Sequence, residues 1–306
     1  MNPSPASSIT KAASKQTYYT IRFLVDRARV DDAFRAYGYF RWVDDSLDAE
    51  SGSRAERLAF LQRQKALLEE CYRGARPRDV TAQENMLVEL VQRNHDANSG
   101  LAVYLRNMML VMEFDARRRG RLISQIELNE YTHWLASAVT EAMHYFIGHA
   151  CYAPRDETRY LAVTAAHITH MLRDTFDDVQ AGYYNIPREV LEANHIGPQD
   201  VHSEVYRTWV TSRVQLARAY FAAGREYLAR VQNLRCRLAG LAYTARFEWL
   251  LDTIEREGYS LRPQYSERRS IGTGLRMSGL ALSAMINLRG VGTLSRPIAS
   301  QRVGKL

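Results

Sequence analysis

The chain has 306 residues, 46% hydrophobic and 25% charged, a globular balance that excludes a disordered chain, and no apolar run is long enough to span a bilayer. A formal net charge of +7 suits a phosphorylated substrate or an anionic membrane surface. The basic residues are scattered and carry no nucleic-acid motif, so nucleic acid is not the expected partner.

From the N-terminus, residues 1–13 read as a flexible Ser/Ala/Pro leader without the apolar centre of a signal peptide. Proline is absent from 6 to 76, from 78 to 153 and from 199 to 262, which permits long helices there. Turn signals fall at Glu50–Ser53, Gly74–Pro77, Asn94–Gly100, Ala153–Pro154, Gly182–Pro187, Gly197–Pro198 and Arg262–Gly274. Between them apolar residues recur at helical spacing, as in Leu58, Phe60, Leu61, Leu67 and Leu68, and in Val214, Leu216, Ala217, Tyr220, Phe221 and Leu228. No strand-like alternation or short repeat appears. The fold class is therefore all-α: one helical domain over 14–290, with a flexible basic tail at 291–306. Cys71, Cys151 and Cys236 are isolated and odd in number. They predict buried or partly buried thiols in a reducing cytoplasm rather than a zinc knuckle or a disulfide framework.

Two acidic clusters interrupt this pattern. In the first, Tyr37, Arg41, Asp44 and Asp48 share a helical face, with Asp45 beside them. In the second, His167, His170, Asp174 and Asp178 form a polar stripe, flanked by Arg173 and Asp177. Carboxylates at i and i+4 repel, so a helix gains nothing from them. Hard cations such as Mg2+ use such carboxylates together with substrate phosphates, which points to metal-dependent handling of a diphosphate. A solvated face with Arg41 paired to Asp44 or Asp45 competes with this reading at the first cluster. At the second, apolar Ile168, Met171, Leu172 and Phe176 favour a mostly buried helix whose polar stripe lines a cavity. Two His with two Asp could also take zinc or iron, but the Glu-x-x-His pairs of bundle di-iron sites are absent.

These motifs resemble the squalene/phytoene synthase family, over roughly residues 10–270. A Tyr and an Arg ahead of D-x-x-x-D are matched by Tyr37, Arg41, Asp44 and Asp48. Arg-Asp-x-x-(Glu/Asp)-Asp is matched by Arg173, Asp174, Asp177 and Asp178. The family's Ser-Lys diphosphate contact is similar to Ser14-Lys15, and its mid-chain Tyr-x-x-x-Ala-x-x-Val to Tyr131, Ala136 and Val139. An upstream aspartate corresponds to Asp115 and a C-terminal arginine to Arg269. The departures are His167 and His170 for Gln and Asn, Ser137-Ala138-Val139-Thr140 for Gly-Thr-Val-Gly, Asn185 for Tyr, and Phe247 for Tyr.

The resemblance implies an isoprenoid-synthase helical bundle in which both clusters face one cavity. Mg2+ would be held by Asp44, Asp48, Asp174 and Asp178, with Asp45 and Asp177 in the same clusters. Ser14, Lys15, Arg41, Arg173, His167, His170 and Arg269 would contact diphosphate, and Tyr37 would join the catalytic set. Phe40, Met143, Phe146 and Met171 are candidates for an apolar wall. The expected reaction is head-to-head condensation of two prenyl diphosphates, farnesyl or geranylgeranyl. Alternatives are a cyclase or hydrolase of one prenyl diphosphate, or a non-catalytic scaffold. A reductive outcome would need NADPH, for which no Gly-rich dinucleotide loop is present. The basic, apolar stretch after Arg269 could touch a membrane or close the bundle.

Overall fold

Four Ser or Thr residues, each followed three positions later by its first-turn partner, fix where helices begin. Ser53, Thr81 and Ser124 form complete capping boxes with Glu56, Glu84 and Glu127, and Ser14 accepts from the Thr17 amide. The computed structural model describes residues 5–48 and 53–265, and among them it contains eleven α-helices and no strand. These are α1 (Pro5–Ala13), α2 (Lys15–Leu24), α3 (Val30–Asp48), α4 (Arg54–Tyr72), α5 (Ala82–Arg93) and α6 (Gly100–Arg118). They continue as α7 (Gln125–Phe146), α8 (Leu161–Ala181), α9 (Arg188–Ala193), α10 (Glu204–Arg230) and α11 (Leu234–Arg256).

The all-α expectation holds, but four helix junctions fall outside the turn signals, at Ser14, at Val25–Arg29, at Arg119–Ser124 and at Val231–Asn233. Gly120, at φ +73°, turns the chain between α6 and α7, and Val231–Asn233 breaks the proline-free stretch between α10 and α11. Residues 5–13, expected within a flexible leader, form α1, which packs on α3 and buries Ala6 and Thr10. A Cβ at Gly38 of α3 would meet Ala6 at 3.5 Å, ordinary van der Waals contact. The tail at 291–306, and the expected domain's last stretch, lie outside the described residues.

Two apolar clusters form the interior. One joins α1 to α7 through Phe34, Tyr39, Leu61, Leu87, Leu101 and Leu105. The other gathers α8, α10 and α11 around Leu172, Val214, Phe221, Leu250 and Leu251. α8 and α10 pack closely because of Gly224, where a Cβ would lie 2.6 Å from that of Ala162 and 2.8 Å from its backbone. Cys71 and Cys236 are buried thiols, whereas Cys151 is exposed, contrary to expectation. No described helix is long and apolar enough to cross a membrane.

Candidate active site

The last turn and a half of α3 carries Asp44 and Asp48; the last two turns of α8 carry Asp174 and Asp178. Asp44 is pushed up to about 6, by burial first and by the neighbouring Asp48 carboxylate second. Asp178 is also raised to about 6, again by burial first and then by Asp174. Asp44 and Asp178 thus each hold a carboxyl in a partly desolvated place with a second carboxylate one turn away.

A hydrogen-bonded chain leads from Tyr131 to the second pair. The Tyr131 hydroxyl donates to Asp115 Oδ2 at 3.0 Å, and Arg118 Nε donates to Asp115 Oδ1 at 2.7 Å. Arg118 Nη1 then donates to Asn185 Oδ1 at 2.8 Å, and Asn185 Nδ2 to Asp178 Oδ2 at 2.7 Å. Asp115 feels the charges of Asp48 and Asp44 on one side and Asp178 on the other, so it stands within electrostatic reach of both pairs. Burial pushes Asp115 up, partly offset by Arg118. Burial alone would lower Arg118, but Asp115 and Tyr131 raise it overall. Arg118 was missed in the sequence because it sits in the basic run Arg117-Arg118-Arg119. Its one available signal was the i, i+3 spacing from Asp115.

The flanking cations are occupied by carboxylates. Arg41 Nη1 donates to Asp44 at 3.2 Å and Nη2 to Asp45, the pairing that the sequence left open. Arg173 grips its neighbour Asp174 with two bonds of 2.6 Å. His170 is exposed and lies 3.2 Å from Asp174 Oδ2. His167 is buried edge-on to Tyr131, with no partner for either ring nitrogen, and burial pulls it down to about 3. The stripe expected to line one cavity therefore runs from a buried neutral imidazole to half-exposed carboxylates. Asp45 and Asp177 are exposed. Ser14 caps α2, and Lys15 is exposed on its first turn. Arg269 lies outside the described residues.

An apolar cavity of about 320 Å³ continues from this region. Tyr37, Val139, Thr140, Met143, Phe146 and Tyr243 are among its walls. Along the helices it is displaced from the carboxylates: Tyr37 precedes Asp44 by about 10 Å of helix, and Val163 precedes Asp174 by about 16 Å. Met143 and Phe146 thus line it as expected. Phe40 instead packs against Tyr39 and Tyr104, and Met171 lines a separate cavity on the other face of α8.

Among the described residues no three His, Cys, Asp or Glu side chains converge into a ready-made metal site. Mg2+ does not require one, since it keeps waters and takes one or two carboxylates plus substrate phosphates. Two carboxylate pairs, each with one member raised by burial and by its neighbour, fit a divalent cation shared with an anion.

A family model described as squalene/phytoene synthase matches residues 10–271. The fold is similar to that of a dehydrosqualene synthase crystallised with a ligand, at 17% identity and TM-score 0.66, covering 93% of this chain and 95% of that one. It is also similar to the squalene synthase HpnC from Alicyclobacillus acidocaldarius, at 19% identity and TM-score 0.66, covering 84% and 94%. No curated protein matches the chain by sequence.

Proposed function

The chain belongs to the squalene/phytoene synthase family of prenyltransferases, which join prenyl diphosphates head to head, and from that premise we propose a Mg2+-dependent condensation of two farnesyl or two geranylgeranyl diphosphates. The product is a squalene- or phytoene-type hydrocarbon or its cyclopropyl diphosphate intermediate. The observation that carries this reading is two aspartate pairs that both act on the charge of one buried carboxylate, Asp115, beyond an apolar cavity whose walls run along the same helices α3 and α8.

Bound Mg2+ would supply positive charge to the departing diphosphate, held by Asp44 and Asp48 on one side and Asp174 and Asp178 on the other. Arg41 and Arg173 rest on carboxylates and would exchange them for diphosphate oxygens, which accept the same bidentate geometry. The C1–O bond of one substrate breaks, and its electrons leave with the diphosphate. The allylic cation lies beside Tyr37, whose ring face attracts positive charge, while the bulk of Tyr243 and Phe146 excludes water along the rest of the cavity. The double bond of the second substrate attacks the cation, a proton is lost, and a cyclopropyl ring forms. Tyr131, through Asp115 and Arg118, fixes Asn185 and hence Asp178.

Purified protein given farnesyl or geranylgeranyl diphosphate separately, with Mg2+ and with or without NADPH, tests this. A coupled C30 or C40 product is expected, absent from Asp174→Ala. Diphosphate release with only alcohols or cyclic products would overturn condensation in favour of a single-substrate reaction.

A further inference from the structure

Among the described residues five large hydrophobic side chains are exposed, and four of them are tied to one corner. Tyr19 and Phe23 of α2 are 52% and 70% exposed and stack face to face, with ring centroids 6.0 Å apart. Leu234 opens α11, and next to it Arg235 donates to the carbonyls of Leu24 and Val25 at the end of α2. The carbonyl of Tyr152, the fourth, accepts the Gln232 amide at 3.2 Å, two residues before Leu234. Asp26 holds the corner together: Arg235 binds its Oδ1, while the Gly148 and His149 amides bind its Oδ2 at 3.0 and 3.1 Å. Arg22, Arg27 and Arg155 are exposed in the same segments. Of the three acids there, Asp26 and Asp156 are already paired with Arg235 and Arg230, and Glu157 is exposed.

The opposite face of α2 is a cavity wall. Thr17, Thr20, Ile21 and Leu24 line the apolar cavity, as do Phe146 and Ile147, which precede the Gly148 turn. The exposed corner therefore lies at the cavity end remote from the aspartates, one helix thickness from its interior.

We propose that this corner seats on an anionic phospholipid surface, with the Tyr19–Phe23 pair at headgroup depth, and that apolar product passes from the cavity into lipid beside α2. Aromatic rings rimmed by Lys and Arg are the composition that favours such an interface. A second copy of this chain is a poor occupant, because it would bring two basic faces together in a protein of net charge +7. The docking half stands on the surface alone; the release half rests on the condensation proposed above.

Cys151, exposed beside Tyr152 while Cys71 and Cys236 are buried, offers a labelling site for an environment-sensitive fluorophore in the full chain. Labelled protein should shift its emission to the blue and co-sediment with vesicles of phosphatidylglycerol and phosphatidylcholine, and do so far less with phosphatidylcholine alone. Tyr19→Ser/Phe23→Ser should weaken binding at least about tenfold, and Arg22→Glu/Arg27→Glu should weaken it in low salt. Ile126→Ser, which alters the fifth exposed side chain at the far end of α7, should leave it unchanged. Wild-type binding by both corner variants, or equal loss in Ile126→Ser, would overturn the docking face. So would concentration-dependent self-association that the Tyr19/Phe23 variant abolishes, with no vesicle binding by wild type. For release, the Tyr19/Phe23 variant should keep the first turnover but slow the steady state in the presence of vesicles; equal steady-state rates would overturn that half. Absence of any turnover by wild type would overturn the condensation and leave the docking result standing.

Discussion

Arg118 and Asn185, 67 residues apart in the chain, meet at 2.8 Å between the two aspartate pairs, guanidinium to amide oxygen. Both are buried, and the other end of the Asn185 amide reaches Asp178. An asparagine can do this because it carries a donor and an acceptor on one short side chain. The tyrosine expected there from the family resemblance has a single hydroxyl and far more bulk. Asn185 is thus an alternative means of linking α6 to α8.

Asn185→Leu keeps the volume and removes both bonds. Folding stability should fall by about 1–3 kcal/mol, the cost of leaving buried polar partners unsatisfied. Turnover should fall about 10–100-fold, as for residues that orient metal-binding groups. Thermal melts and steady-state kinetics would check the two effects, and unchanged turnover would remove Asn185 from the site.

The raised Asp44 and Asp178 carboxyls set a pH dependence with a definite sign. Their folded values, about 6, lie above the ordinary aspartate value, so the folded state holds protons more tightly than the unfolded chain. Without divalent cation, the stability they contribute is present at low pH and is lost as pH rises through about 6. Other carboxylates act oppositely: Glu84, bound by Arg63, is lowered to about 2. The comparison is therefore between wild type and Asp44→Asn, whose Tm advantage over wild type should grow from pH 4.5 to pH 7.5, taken as roughly bracketing the titration. Mg2+ should raise the wild-type Tm more at the upper pH, because protons compete with it at the lower one.

Thr140 is fully buried, lines the cavity, and has a hydroxyl without a hydrogen-bond partner. Thr140→Gly enlarges that wall and should raise the ratio of turnover on geranylgeranyl over farnesyl diphosphate. It should cost about 1 kcal/mol or more, since glycine is disfavoured within a helix. An unaltered ratio would show that Thr140 does not touch the chain.

Gly224→Ala places a methyl 2.6–2.8 Å from Ala162 backbone and side-chain atoms, where no flexible side chain can give way. α10 must move off α8, and overpacking of this kind costs about 1–3 kcal/mol. Urea unfolding would measure it. Gly240→Ala meets the movable end of Leu228 first and should cost less.

Helical periodicity and the proline gaps made the helices legible, because a 3.6-residue apolar stripe is a local property of sequence. The aspartate pairs were legible for the opposite reason: helices have no local use for like charges at i, i+4. Arg118 was not, since a buried arginine and an exposed one look alike until the partner is placed. Asn185 could be recognised as unusual, yet its two bonds depend on α6 and α8 arriving together. Phe40 and Met171 were misassigned because an apolar residue beside a catalytic motif can face any of several neighbours. For Met171 the helix face decided, since α8 has one cavity on each side of it.

From the aspartates to the cavity walls, α3 and α8 pass from carboxylate to hydrocarbon, and that gradient acts as a vessel with a polarity of its own. A molecule with an anionic head and a greasy tail can lie in it only one way round. Under the condensation proposed above, two such molecules would share that orientation. The orientation of that coupling would then be a property of the container, shared among the many side chains that line it.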